Sequence, residues 1–125
     1  TFSLKLDAEH YVITICPDDP AIANAFKTSL TDFNTNFYGI SNLSVTSSLF
    51  GSAEQITTVK TFKNADEALR YIDNLKKDKT VFTSKVKIEQ FTIMAISADN
   101  LPRLFRKKQA SYYLPFYTDH YKLNQ

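Results

Sequence analysis

The sequence predicts an α+β domain of the ferredoxin-like kind, a four-stranded antiparallel sheet with two helices on one face and additional C-terminal helical structure. Three observations predict it. Two stretches repeat apolar side chains at three- and four-residue spacing, four shorter runs are rich in β-branched residues, and the two kinds follow one another as βαββαβ.

The first strand is the β-branched run Tyr11 to Ile15, stopped at Cys16-Pro17-Asp18-Asp19-Pro20 by two prolines and two aspartates. After Pro20, Ile22, Phe26, Leu30, Phe33 and Phe37 mark a helix with one buried face, and Gly39 is expected to end it in the left-handed conformation. Leu43, Val45 and Leu49 then alternate with Ser44, Thr46 and Ser48, Gly51-Ser52 turns the chain, and Gln55 to Phe62 returns it, which is a hairpin pattern. Asn64 is a good N-cap with Glu67 three residues on, and Ala65, Ala68, Leu69, Ile72 and Leu75 form the second amphipathic helix. Lys76 to Lys79 is its charged end, Val81 to Val86 a connector, and Ile88 to Ile96 the expected fourth strand. Asp99-Asn100-Leu101-Pro102 opens a further helical stretch through Lys108, and Ser111 to Tyr121 continues it, with Pro115 tolerable in a new first turn.

Composition agrees with one packed domain over residues 1–125. The chain is 43% hydrophobic and 14% aromatic with 2 Gly and 4 Pro, a balance that excludes a tail or linker. A formal net charge of +2 is too small for a general nucleic-acid footprint, although residues 1–50 carry two basic and five acidic side chains against thirteen and eight in 51–125. The later part therefore suits an acidic partner without demanding one. Cys16 is the only cysteine, which rules out an internal disulfide and a Cys-rich metal knuckle. No apolar run approaches the roughly 20 residues needed to cross a bilayer, and none reads as a signal peptide. With Thr1 first and no initiating Met, the chain is expected to be the C-terminal part of a larger protein whose targeting segment lies upstream.

Catalytic chemistry would have to use His10, His120, Cys16 or the acidic residues, and no catalytic, cofactor or metal constellation emerges from them. Cys16 and His10 could in principle form a nucleophile and base, but a buried structural thiol is the simpler reading of a cysteine closing a β-branched run. Asp18 and Asp19 lack the further donors and the glycine of a calcium loop, and read instead as a turn with carboxylates near a helix N-terminus. With only Gly39 and Gly51, no glycine-rich phosphate cradle can be built. A sheet of this topology can bind RNA through exposed aromatics, but Gln55 to Phe62 carries one aromatic and lacks the required signature.

Two features point to binding. Arg103, Arg106, Lys107 and Lys108, with Lys76, Lys77 and Lys79, read either as solvated helix faces or as a surface for an acidic or glycan partner. Tyr112, Tyr113, Leu114, Phe116, Tyr117 and Tyr121 crowd into ten residues, and on one continuous helix they would span about 200°, wider than the stripe needed to lie on a sheet. Tyr113, Tyr117 and Tyr121 follow the better four-residue row toward the core. The flank of Tyr112 and Phe116, with Arg103, Arg106 and Lys107, is the expected partner-binding surface.

From His10 to Tyr121 the chain resembles the C-terminal domain of the large tetratricopeptide-repeat lipoproteins of Bacteroidetes, of the SprE and PorW type linked to gliding motility and type IX secretion. The resemblance rests on His10-Tyr11-Val12, Leu30 to Asn34, Val59 to Leu69, Ile96 to Pro102, Tyr113 to Tyr117 and His120-Tyr121. It implies a periplasmic, non-catalytic domain on an outer-membrane-associated lipoprotein, in contact with other domains of its parent or with an envelope protein partner. Thr58 to Leu75 also resembles one half of a SPOR domain, through Thr61-Phe62 ahead of Ala65 and Ala68. That second resemblance implies peptidoglycan as an alternative partner.

Overall fold

The structure is a computed structural model, and residues 1–121 are described. Its elements are β1 (His10–Pro17), α1 (Pro20–Tyr38), β2 (Ser44–Phe50), β3 (Glu54–Phe62), α2 (Ala65–Lys76), β4 (Thr92–Ser97), α3 (Leu101–Lys107) and α4 (Leu114–His120), with single 3-10 turns at Gly39–Ser41, Ile88–Gln90 and Ala110–Tyr112. The strands form one sheet in the order β2-β3-β1-β4, with every neighbouring pair antiparallel. This is the ferredoxin-like arrangement that the order of elements predicts.

The two long helices, α1 and α2, begin where the sequence offers a cap. Asp19 Oδ1 accepts from the Ala21 N–H at 3.0 Å, and Pro20 opens α1 at no cost because its missing N–H would be unpaired there. At α2, Asn64 Oδ1 accepts from the Glu67 N–H at 3.0 Å, while Glu67 reaches back to the Lys63 N–H at 3.2 Å. The reciprocal bond thus lands one residue earlier than in the usual capping box.

The two sides of the sheet carry separate cores. On one side Val12, Val59, Ile93 and Ala95 meet Phe26, Leu30 and Phe33 of α1 and Ala68, Leu69, Ile72 and Leu75 of α2. Tyr71 joins the two helices, its buried hydroxyl donating to Asn34 Oδ1 at 2.5 Å. On the other side Ile13, Ile15, Ile56, Met94 and Ile96 meet Leu101 and Leu104 of α3 and Tyr113, which precedes α4. The added C-terminal structure is therefore a third layer, and β1 and β4 are buried on both faces.

Two sequence expectations are corrected. Gly39 has φ −57° and lies in a right-handed turn, and the left-handed residue that redirects the chain is Asn42 at φ 52°. Asparagine tolerates that region, so the reversal falls three residues later than the glycine suggests. The fourth strand starts at Thr92, because Ile88–Gln90 forms a 3-10 turn whose Ile88 carbonyl takes the Phe91 N–H at 3.0 Å. Gly51 does what a hairpin glycine should, with φ 74°, and an added Cβ would lie 3.3 Å from the Lys108 carbonyl. None of the helices among the described residues is long and apolar enough to cross a membrane.

Candidate functional site

The C-terminal segment is built outward from β4. Ser97 ends the strand, and Asn100, fully buried, holds residue 3 of the N-terminal segment as a strand partner would. Its Oδ1 accepts from the Ser3 N–H at 3.1 Å and its Nδ2 donates to the Ser3 carbonyl at 2.7 Å. Arg103 donates to the same Asn100 Oδ1 at 2.8 Å, and Lys5 pairs with Asp99 at 2.5 Å, which holds that carboxyl below the usual carboxylate range. Phe2 is thereby delivered onto Tyr113 and Phe116, with ring centroids 5.0 and 5.8 Å apart.

Lys108, at φ 56°, closes α3 by donating its N–H to the Leu104 carbonyl at 2.9 Å. That turn separates α3 from α4, so the aromatics do not lie on one helix and the continuous 200° arc expected from the sequence does not form. Instead, adjacent residues divide. Tyr113 points inward and donates its hydroxyl to the Ala95 carbonyl at 2.8 Å, whereas Tyr112 is 51% exposed. Lys107 Nζ stands 5.0 Å above the Tyr112 ring, a cation–π arrangement.

The structure brings some of the sequence-predicted residues together and diverts others. Tyr112 and Lys107 are in contact, and Arg106 is exposed on the last turn of α3. Arg103 is half-buried and engaged with the N-terminal segment. Phe116 is half-buried, packed between Phe2, Tyr113 and His120. Tyr113 and Tyr121 are buried, and Tyr117 is half-buried with its hydroxyl pushed up to about 12, chiefly by burial.

The candidates for chemistry lie apart. His10 is buried, with Nδ1 2.8 Å from the Ala8 carbonyl and Nε2 2.7 Å from the Tyr121 hydroxyl. The carbonyl fixes the proton on Nδ1, so Nε2 accepts from the tyrosine, and burial holds the ring's pKa below its ordinary value. Cys16 sits six residues along the same strand, about 20 Å away. Its thiol is buried and raised by burial first and by Glu54, Asp18 and Asp19 next. Asp18 accepts from Gln55 Nε2 at 2.8 Å, and Asp19 caps α1. Among the described residues no three His, Cys, Asp or Glu side chains gather as a metal-ligand set.

Exposed apolar residues occur elsewhere too. Phe37, which the helical spacing assigns to the buried row, is exposed because Tyr38 takes the inward place on the last turn of α1, against Phe33 and Tyr71. A groove of about 450 Å³ beside it is lined by Phe33, Phe37, Tyr38, Asn74, Lys77 and Asp78. Ile40 and Leu49 are exposed as well. The alternation of Leu43, Val45 and Leu49 put Leu49 on the apolar side of its strand, so its exposure, like that of Phe37, had no signal in the sequence. No family model matches the chain, and neither the curated proteins nor the solved structures yielded a match.

Proposed function

We propose that this domain is a non-catalytic protein-interaction module of a periplasmic, outer-membrane-associated tetratricopeptide-repeat lipoprotein, with a role in assembling an envelope complex such as the type IX secretion apparatus. The observation that carries the interaction reading is Tyr112, which is half in solvent beneath Lys107 although its neighbour Tyr113 is wholly buried. Aromatic and arginine side chains are over-represented at protein interfaces, and Arg106 lies on the same exposed end of α3. A non-catalytic role is supported by His10 and Cys16, which are committed to the fold at opposite ends of β1. Covering of both faces at β1 and β4 disfavours readout of stacked bases, which needs a bare face. The envelope location rests on the sequence resemblance.

The test is calorimetric titration of the domain with the remainder of its parent chain, expressed separately. Tyr112→Ser combined with Arg106→Ala is expected to weaken association at least tenfold, about 1.4 kcal/mol, with an unchanged melting temperature. Equal affinity in the variant removes the surface from consideration. Peptidoglycan binding is measured alongside by co-sedimentation, and no pelleting above a control protein is expected. Arg70 is paired with Asp66 at 2.9 Å and Lys60 lies 4.8 Å over the Tyr11 ring, so two of the relevant cations already have partners. Pelleting that is lost on changing Lys60, Lys63 and Arg70 to Ala would put the glycan reading first.

A further inference from the structure

The sheet has two edges, and the fold treats them differently. Residues 93–97 of β4 are buried, and the Tyr113 hydroxyl reaches its Ala95 carbonyl. β2 has only Phe50 buried, and its ladder to β3 runs without a bulge from Ser44↔Lys60 to Phe50↔Glu54. Exposed edges are normally blunted by charge, proline or a bulge. Ser44-Val45-Thr46-Ser47-Ser48-Leu49-Phe50 has none of these.

The edge is also complementary to itself. In an antiparallel pair centred on Ser47, Val45 of each copy faces Leu49 of the other, and Thr46 faces Ser48. Leu49 is 64% exposed in the single chain, while Val45 borders a cavity of about 180 Å³ also lined by Thr31, Thr35, Asn42 and Leu43. Every residue lining that cavity is uncharged, so a leucine can enter it without stripping water from an ion. Val45 and Leu49 share one side of the strand, which places the incoming leucine at the cavity.

We propose that β2 pairs with β2 of a second copy of this chain about a two-fold axis at Ser47, joining two sheets into one of eight strands. About six backbone hydrogen bonds and two Val45–Leu49 contacts hold the pair. The contact strip is about 23 Å long and about one sheet layer, 10 Å, deep, or roughly 500 Å² over both copies, well under the size of a stable specific interface. The dimer is accordingly weak and concentration-dependent. This inference is independent of the Tyr112 surface.

Sedimentation equilibrium of the 125-residue chain tests it. The average mass is expected to rise toward twice the monomer between about 10 μM and about 1 mM, as for a dimer of roughly 0.1 mM dissociation constant. Thr46→Lys with Ser48→Lys sets lysines opposite lysines across the axis, at exposed positions, and should remain monomeric with an unchanged melting temperature. Mixing it with Thr46→Glu/Ser48→Glu should restore the dimer. Leu49→Asn should weaken association at least tenfold, and serves where the lysine pair disturbs the hairpin. A wild-type chain that stays monomeric to 1 mM, or a dimer indifferent to these changes, overturns the proposal.

Discussion

His10 and Tyr121 meet across 111 positions of sequence to form a buried hydrogen bond of 2.7 Å. Burial depresses the imidazole's pKa from its ordinary 6.5, so the unfolded chain binds the proton more readily than the folded one. Stability should therefore be full above about pH 6.5 and fall as the pH drops below it. Urea midpoints measured from pH 7.5 to 5 should show this decline, and His10→Gln should show a shallower one. Equal slopes in the two proteins would mean that His10 does not carry the effect. The histidine was visible in the sequence, but its partner was not, because only the folded chain brings β1 beside the end of α4. The same limit applies to Tyr112 and Tyr113, chemically alike and adjacent, whose opposite fates are set by the turn at Lys108.

At the scale of elements, local chemistry was most readable where it acts through near neighbours. Asn64 and Glu67 announce the start of α2 because capping needs only three residues, and both bonds are present. Asn64→Ala should cost about 1 kcal/mol in urea denaturation. A variant as stable as the parent would indicate that α2 is held by packing alone. The strands also carried more information than their number. β4 reads as an apolar run and β1 as a β-branched one, and both are buried on both faces, whereas β2 alternates with Ser and Thr and has only Phe50 buried. The boundary of β4 was less readable, because Ile88 and Phe91 fit a strand pattern and still turn as a 3-10 helix.

At the scale of the whole molecule, two cores share one sheet, and neither helical layer is peripheral. Leu30 belongs to the α1/α2 side and Leu104 to the α3/α4 side, and both are completely buried. Leu30→Ala and Leu104→Ala should each cost about 2–5 kcal/mol, the range for large core side chains cut to alanine. Chemical denaturation of each variant should remain a single transition. If Leu104→Ala costs less than about 1 kcal/mol, as at surface sites, the C-terminal layer is an appendage and the second core is not integral to the fold.

By itself the sequence determined the order of elements, the antiparallel sheet, the cap of α2, the glycine turn at Gly51 and the inward course of Phe26, Leu30, Leu69 and Ile72. These follow from side-chain period and from hydrogen bonds closed within a few residues. Tertiary structure alone decided that α3 and α4 cover the second face, that Arg103 is engaged by Ser3 and Asn100, and that Phe116 is half-buried while Tyr112 stays in solvent. The physical reason is the range of the interaction. Periodicity states which side of an element is apolar, but which surface meets it depends on contacts between residues nearly a hundred positions apart, such as Ser3 with Asn100.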